Sequence, residues 1–264
     1  MEIPDLLLPD LLAPLVSETI FAGKIHHTMS AESTNAMAME AGASGQLEGR
    51  VFLAEAQTAG RGRAGRIWYS TQSQGIYCSV LLRPRLSPDQ VLLLSLAAGL
   101  AVRSAVADVT GLPADLKWPN DLLLSEKKFC GILTELQWEG TRVRHAVVGI
   151  GLNVNHTSFP DPLRSQATSL YLESGMTQSR VLVAAALLKS LDREYRALGS
   201  DQDAQESIRR RFQEHSSWTH GCAVRIEEAE SFTGITEGLD NRGFLLVRTS
   251  QGLQTVVSGT VRRQ

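Results

Sequence analysis

The residues best suited to chemistry form one short run, Gly60-Arg61-Gly62-Arg63-Ala64-Gly65-Arg66, with three glycines, three arginines and no acid. Guanidinium groups so close together repel one another, and an anion relieves the repulsion. Glycine lets the backbone approach a ligand and leaves its N–H free to donate. Arginine presents a planar fork that matches carboxylate and phosphate oxygens. The run therefore reads as a pliable anion-binding loop that closes on its ligand, mobile when no ligand is bound. No Gly-Lys-Ser/Thr follows, so it is not a Walker loop. Ile67-Trp68-Tyr69-Ser70 continues into polar, turn-like sequence, so it is not a dinucleotide fingerprint opening a helix. Alone, such a run suits an RNA-contacting turn equally well.

Composition narrows the choice. The 264 residues suffice for one large domain or a main domain with a small satellite, and a 43% hydrophobic content is ordinary for a globule with a core. A net charge of −2 makes the arginine run a local feature on a near-neutral background, which favours a small anion over long nucleic acid. Cys78, Cys130 and Cys222 form no CxxC pair, so neither a disulfide framework nor a zinc site is expected, and reduced thiols in a cytoplasmic protein are the simplest account. The opening Met1-Glu2-Ile3-Pro4-Asp5 is acidic where an export signal is basic. The longest apolar stretch, near 91–102, contains Ser95 and reads as far short of a membrane span.

The elements that must position the loop can be read in turn. Residues 10–22 predict a short amphipathic helix and 24–29 a strand. Ser33 is a cap candidate for the helix formers 36–41, with Gly42 as its terminator. Residues 51–56 read as a buried strand that delivers Gln57 and the loop, and 75–82 as the next. Ser87-Pro88-Asp89-Gln90 has capping-box spacing with proline at the first helical position, and the helix it opens stops at Gly111. Three strand-like segments follow, 116–124, 128–138 and 142–155, joined by links short enough for antiparallel neighbours. Pro119 demands a sheet edge or a bend. A loop is expected over 156–177 and helices over 179–198 and 204–215. From Cys222 onward, short β-like runs predict a small barrel docked on the main domain.

Four islands share cationic, amide or glycine chemistry: the arginine loop, Lys117-Trp118-Pro119-Asn120-Asp121, Lys128 to Glu135, and Gly149-Ile150-Gly151-Leu152-Asn153. Taken singly, each has an ordinary structural reading, such as a solvated lysine, a packed tryptophan or a bulge. Together, and with Ser33-Thr34-Asn35, Gln57 and Trp68, they resemble the biotin protein ligases over about residues 25–264. The spacing Lys128-x-x-Gly131-Ile132-Leu133 selects Lys128 over Lys127.

The resemblance implies an α+β catalytic domain of the class II synthetase-like biotin/lipoate ligase type, with a mixed, mostly antiparallel sheet. It would span 1–218 with its core from about 25, followed by an SH3-like barrel over 219–264. It implies two half-reactions. Biotin's carboxylate attacks the α-phosphate of ATP to give biotinyl-5′-AMP and pyrophosphate; a lysine of a biotin carboxyl carrier protein domain then attacks the mixed anhydride and AMP leaves. On this resemblance Lys128 and Arg63 are the catalytic residues. Ser33, Thr34, Asn35 and Gln57 take the ring end of biotin, Gly131 and Gly149 leave room for its rings, and Arg61, Gly62 and Arg63 close over it. Arg66 reaches phosphate and Trp68 covers the adenine. Lys117, Asn120, Asp121 and Asn153 face the nucleotide, with Asn120 and Asp121 as magnesium ligands. ATP, biotin and Mg²⁺ are implied as substrates and counter-ion, with no tightly bound cofactor, no membrane partner, and a homodimer allowed.

Two departures stand out. Ala64 occupies a loop position where the family often has arginine, and the C-terminal Arg262 and Arg263 remain equal candidates for any contact with ATP. About 24 residues precede the resemblance, too few for the winged-helix domain of the repressor branch, so no DNA binding is expected. The rival readings are a lipoate or octanoate ligase and a non-enzymatic binder of biotin or RNA.

Overall fold

Near-continuous apolar runs over Gly75–Leu82 and within Arg142–Asn153 mark the centre of a sheet buried on both faces. The computed structural model describes residues 5–200, 202–227 and 231–264; residues 1–4, read above for an export signal, lie outside them. The main sheet contains β1 (Ile25–Thr28), β2 (Val51–Ala54), β3 (Gly75–Leu82), β4 (Asp115–Lys117), β5 (Asp121–Leu124), β6 (Lys127–Glu139) and β7 (Arg142–Asn153). These pair in the order β1-β2-β3-β7-β6-β5-β4. Only β1 and β2 are parallel; the other neighbours are antiparallel. The expected single strand over 116–124 is instead the hairpin β4–β5. Its turn carries the cis Trp118–Pro119 bond, so the bend at Pro119 stands while the strand count changes.

The helices depart from expectation where proline or packing intervenes. Within 10–22 only Pro9–Leu12 (α1) runs into that stretch as α-helix, and a 3₁₀ turn over Ala13–Leu15 follows. Pro14 has no N–H to extend a helix, and its ring crowds the preceding turn. The helix α2 (Thr34–Ala43) is capped by Ser33, whose Oγ accepts from the Ala36 N–H. Gly42 does not end it: a Cβ there would lie 2.4 Å from the His145 ring, so this glycine permits close packing. The left-handed turn falls later, at Gly45 (φ +82°).

Both halves of the Ser87–Gln90 capping box form, but they open a 3₁₀ turn (Pro88–Gln90) that leads into α3 (Val91–Thr110), closed by left-handed Gly111. By length and composition α3 is apolar enough to cross a membrane, with a mean hydropathy of 1.7 over 20 residues, contrary to the short stretch expected. Here it is a core helix, packed against α6 (Arg180–Leu198) and α7 (Gln202–Glu214) and the underside of β4, β5 and β6. A helix apolar on most of its circumference must be enclosed, and this one is. The expected loop over 156–177 contains two short helices, α4 (Asp161–Arg164) and α5 (Leu170–Ser174).

Strand parity then divides the core. Phe52, Leu81 and Val147 face α2 and pack with Ala38 and Ala41. Val51, Leu53, Val80, Leu82 and Val148 face the opposite way, into the larger core with α3 and α6. Because side chains alternate along a strand, Ser79, Gly149, Gly151, Gly131 and Leu133 continue the α2 face toward the other end of the sheet. Cross-strand register places Ser79 and Leu133 opposite Gly149 and Gly131 opposite Gly151.

The C-terminal strands β8 (His220–Glu227), β9 (Phe232–Leu239), β10 (Leu245–Thr249), β11 (Gly252–Val256) and β12 (Thr260–Arg263) form a five-stranded antiparallel sheet ordered β11-β10-β9-β8-β12. The last strand was not among the runs expected. This unit shares a core with the main domain: Val224, Leu245, Val247 and Val261 join the same apolar cluster as Leu93, Leu116 and Phe212. Trp118 Nε1 donates to the Gly243 carbonyl at 2.9 Å across the junction.

Candidate functional site

The α2 face of the sheet becomes a site where its side chains disappear. Gly131, Gly149 and Gly151 form a bare floor on β6 and β7. A Cβ at Gly149 would lie 1.9 Å from Asn35 Oδ1, one at Gly151 2.4 Å from the Trp68 indole, and one at Gly131 2.9 Å from the same ring. The start of α2 and the residue following the arginine loop thus lie directly on the strands. Above them opens a cavity of about 410 Å³, lined by all sixteen residues expected at the site.

At one end the cavity wall is a buried chain of polar groups. Ser79 Oγ, from β3, lies 2.7 Å from Thr34 Oγ1 and 2.6 Å from Asn35 Oδ1. The Asn35 amide donates to Glu135 Oε2 at 2.7 Å. The Thr34 N–H and hydroxyl both donate to Gln57 Oε1, at 2.9 and 3.2 Å, and Gln57 Nε2 donates to Ser70 Oγ at 3.1 Å. Ser33 serves both as the helix cap and as a lining residue. A cap leaves the remaining N–H groups of the first helical turn pointing outward, and here that turn opens on the cavity.

The opposite end is cationic. Arg63 Nη1 donates to Asn120 Oδ1 at 3.2 Å, and Asn120 Nδ2 donates to the Ile132 carbonyl at 2.7 Å, so β6 fixes the amide that receives the guanidinium. Lys128 Nζ is 2.6 Å from Asp121 Oδ1 and sits over the Trp68 ring, 5.3 Å from its centroid. Arg66 Nη2 donates to Thr260 Oγ1 of β12 at 3.5 Å. Lys117 Nζ lies over the Trp218 ring at 4.1 Å. Burial lowers the Lys117 pKa, with Asp121 opposing the shift. Burial likewise lowers that of Arg63, again against Asp121, though a guanidinium keeps its charge at neutral pH. Six cations (Arg61, Arg63, Arg66, Lys117, Lys128, Arg262) face two acids (Asp121, Glu126) around the cavity. Such a surplus suits a polyanion.

The loop that supplies three of these arginines is folded on itself. The Gly62 N–H donates to the Arg66 carbonyl at 2.7 Å and the Trp68 N–H to the Gly60 carbonyl at 2.9 Å. Ala64 adopts φ +54°, a left-handed value that usually favours glycine, and Gly65 continues at φ +72°. Several expected roles meet other occupants here. The room over Gly131 and Gly151 belongs to Trp68 and that over Gly149 to Asn35, so the indole rests on the glycine floor. Asn120 and Asp121 are engaged by Arg63, Ile132 and Lys128. Among the described residues no group of three or more His, Cys, Asp or Glu is disposed to hold a metal ion.

Sequence reasoning missed part of the wall. Phe159, Leu163, Gln166 and Ala167 line the cavity from the segment read as a loop. That segment pairs with the backbone of Lys128: the Lys128 N–H donates to the Gln166 carbonyl at 2.8 Å and the Thr168 N–H to the Lys128 carbonyl at 3.0 Å. Pro160 and Pro162 conceal any periodicity there. Of the two C-terminal arginines, Arg262 lines the cavity, while Arg263 stacks on Trp218 at 4.5 Å.

A mixed sheet with a glycine floor, a capped helix at one end of the cavity and cations at the other places the chain among the biotin and lipoate ligases. Residues 29–153 match the Biotin/lipoate A/B protein ligase family and 219–262 the Biotin protein ligase C terminal domain. The chain belongs to the biotin protein ligase family. It is 36% identical to the Bifunctional ligase/repressor BirA of Bacillus spizizenii over 232 residues, covering 87% of this chain and 70% of that protein. It is 36% identical to the Biotin--[acetyl-CoA-carboxylase] ligase of Mycobacterium tuberculosis, covering 87% of this chain and 85% of that one. The structure of the biotin protein ligase from Aquifex aeolicus in complex with biotin and ATP superposes with a TM-score of 0.79 at 29% identity, over 92% of this chain and all (100%) of that one.

Proposed function

We propose that this chain is an ATP-dependent biotin–protein ligase that activates biotin as biotinyl-5′-AMP and transfers it to a lysine of a biotin carboxyl carrier protein, as in an acetyl-CoA carboxylase. The observation that carries the reading is the meeting of Lys128, Asp121, Arg63 and Asn120, from three separate segments, at one end of a cavity whose other end is a buried amide and hydroxyl array. In the first half-reaction a biotin carboxylate oxygen bonds to the α-phosphorus, and the bond to the bridging oxygen of the leaving pyrophosphate breaks. Two anions must be brought together, and fixed cations remove the repulsion before the reaction begins. Lys128 is placed to stand between carboxylate and phosphate. Arg63 is placed to follow the charge as it moves onto the leaving group, with Asn120 holding its fork. In the second half-reaction the acceptor amine bonds to the acyl carbon, the acyl–oxygen bond breaks, and AMP leaves with the electron pair while the amine loses a proton.

The polar array of Thr34, Asn35 and Gln57 supports binding of the ureido ring, which needs donors and acceptors in a dry pocket. Magnesium fits as a counter-ion carried by the nucleotide phosphates, since such an ion keeps most of its ligands as phosphate and water. The buried free thiols Cys78 and Cys130 support a reducing, cytoplasmic setting. ATP–pyrophosphate exchange, measured with biotin and lipoate side by side, tests the function. Exchange that depends on biotin is expected. Exchange with lipoate and none with biotin would reverse the assignment, and biotin binding without exchange would make the protein a binder only.

A further inference from the structure

Behind the cavity, outside its lining, a charged cluster is sealed from solvent. Glu55 and Arg180 are both 0% exposed, with Arg180 Nη1 donating to Glu55 Oε2 at 2.7 Å. Glu55 also receives the Leu7 N–H at 2.9 Å, His27 Nε2 at 2.9 Å and Ser73 Oγ at 3.1 Å. Its own carbonyl accepts from the Ser73 N–H at 2.9 Å. Arg180 Nη1 donates to the Gly75 carbonyl at 3.1 Å, and the Arg180 backbone N–H donates to Asp5 Oδ2 at 2.8 Å. An ion pair this deeply buried gains little over apolar packing of the same volume. The informative feature is therefore where its hydrogen bonds go.

They go to both ends of one excursion. Residue 55 is the first after the chain leaves β2, and residues 73 and 75 bring it back into β3. Between them lie Gln57, the three arginines and Trp68, carried on a segment with no strand or α-helix of its own. We propose that Glu55 and Arg180 are positioning residues: together with the Ser73 hydroxyl they clasp the stem of the 56–74 excursion and so set the fraction of time the arginine loop spends in its ligand-competent place. The segment 5–7, held by the same two side chains, closes the cluster from outside. This rests on the ligase reading above. When only part of a population is competent, apparent affinity falls in proportion to that part. A loosened stem therefore weakens biotin and ATP binding together, without any change in the groups that touch them.

Ser73→Ala is the most informative variant, because it removes one hydroxyl from the clasp and leaves the ion pair in place. In the full chain the KM for both biotin and ATP in pyrophosphate exchange should rise by about threefold to tenfold, the scale of one ordinary hydrogen bond. Amide exchange of residues 60–66 with both substrates present should quicken by a similar factor, while that of α3 stays as in the parent. Glu55→Gln, which leaves Arg180 only the more distant and partly exposed Asp5 as counter-charge, should show a larger rise in both KM values. If Glu55→Gln does not fold, the Ser73→Ala measurements decide alone. Unchanged KM values and unchanged loop exchange in Ser73→Ala would overturn the clasp. Loss of biotin-dependent exchange in the parent protein would instead overturn the ligase reading.

Discussion

Lys128 is fixed from several directions at once. Its backbone is bracketed by Gln166 and Thr168, its amine is paired with Asp121 at 2.6 Å, and its stem passes over Gly131. A flexible four-carbon side chain held this way loses its freedom before any substrate arrives, which is the condition for stabilising a charge that exists only in passing. Replacing it with alanine leaves strand pairing intact and removes the cation. Lys128→Ala should lower biotin-dependent exchange by at least about a hundredfold, the scale of a lost preorganised electrostatic group. Its thermal midpoint should stay near that of the parent, and near-normal exchange would show that another cation serves the step. Glu55 supports a second prediction at this scale. Burial pushes its carboxyl up, but the Leu7 N–H, Arg180 and His27 together outweigh burial and hold the pKa below the ordinary 4.5. A carboxylate with a depressed folded value contributes stability above its unfolded pKa and loses it as pH falls through the folded value. The stability difference between the parent and Glu55→Gln should thus be full at neutral pH and shrink below about pH 4.5, as read from denaturant midpoints across pH. A difference constant down to pH 3 or so would show that the carboxyl stays ionised throughout or adds nothing.

At the scale of elements, the site is a consequence of strand parity. The face of β7 that carries Val147 against α2 carries Gly149 and Gly151 one and two steps further on, and there the start of α2 and Trp68 come down onto the sheet. Gly149→Ala tests this arrangement. Its new methyl would meet Asn35 Oδ1 at 1.9 Å, and Asn35 cannot swing away without giving up Glu135 and Ser79. The helix must lift from the strand, at a cost of about 1–3 kcal/mol for overpacking. A lower thermal midpoint and a higher KM for biotin should appear together; a variant with parental values would show that the strands and α2 separate freely.

Much of this was legible locally. Ser33 announced the α2 cap, Ser87 and Gln90 the entry to α3, and the apolar run over 75–82 a strand. The four chemical islands, with Ser33-Thr34-Asn35, Gln57 and Trp68, supplied the sixteen expected residues, and all sixteen line the cavity, whereas Phe159 and Gln166 were not foreseen. The misreadings have a common physical cause: the deciding interaction was non-local. Gly42 looks like a helix terminator until the His145 ring is seen against it. Residues 116–124 look like one strand because the turn at Pro119 is stabilised by β6 and Gly243, outside any window of sequence.

For the whole molecule, the C-terminal unit is continuous with the catalytic domain. Its strands contribute to the same apolar cluster as α3, and it closes the cationic end of the cavity through Thr260 and Arg262. Trp218, at the start of that unit, carries both Lys117 and Arg263 against its ring. A forty-odd-residue sheet buries too little on its own to be robust, so sharing a core is how it gains stability. The two parts should therefore unfold as one. Trp118→Phe probes the seam, since it keeps an aromatic ring in the core while removing the Nε1 donor to the Gly243 carbonyl together with part of the indole. Leaving that buried carbonyl unpaired should cost about 1–3 kcal/mol, or several degrees in thermal midpoint. Calorimetry should show one transition in both proteins, shifted as a unit in the variant, and amide exchange in β10 and in β7 should respond alike. Two transitions, with only the C-terminal strands destabilised, would mean that the parts fold independently and that Arg262 reaches the cavity by docking instead of by a common fold.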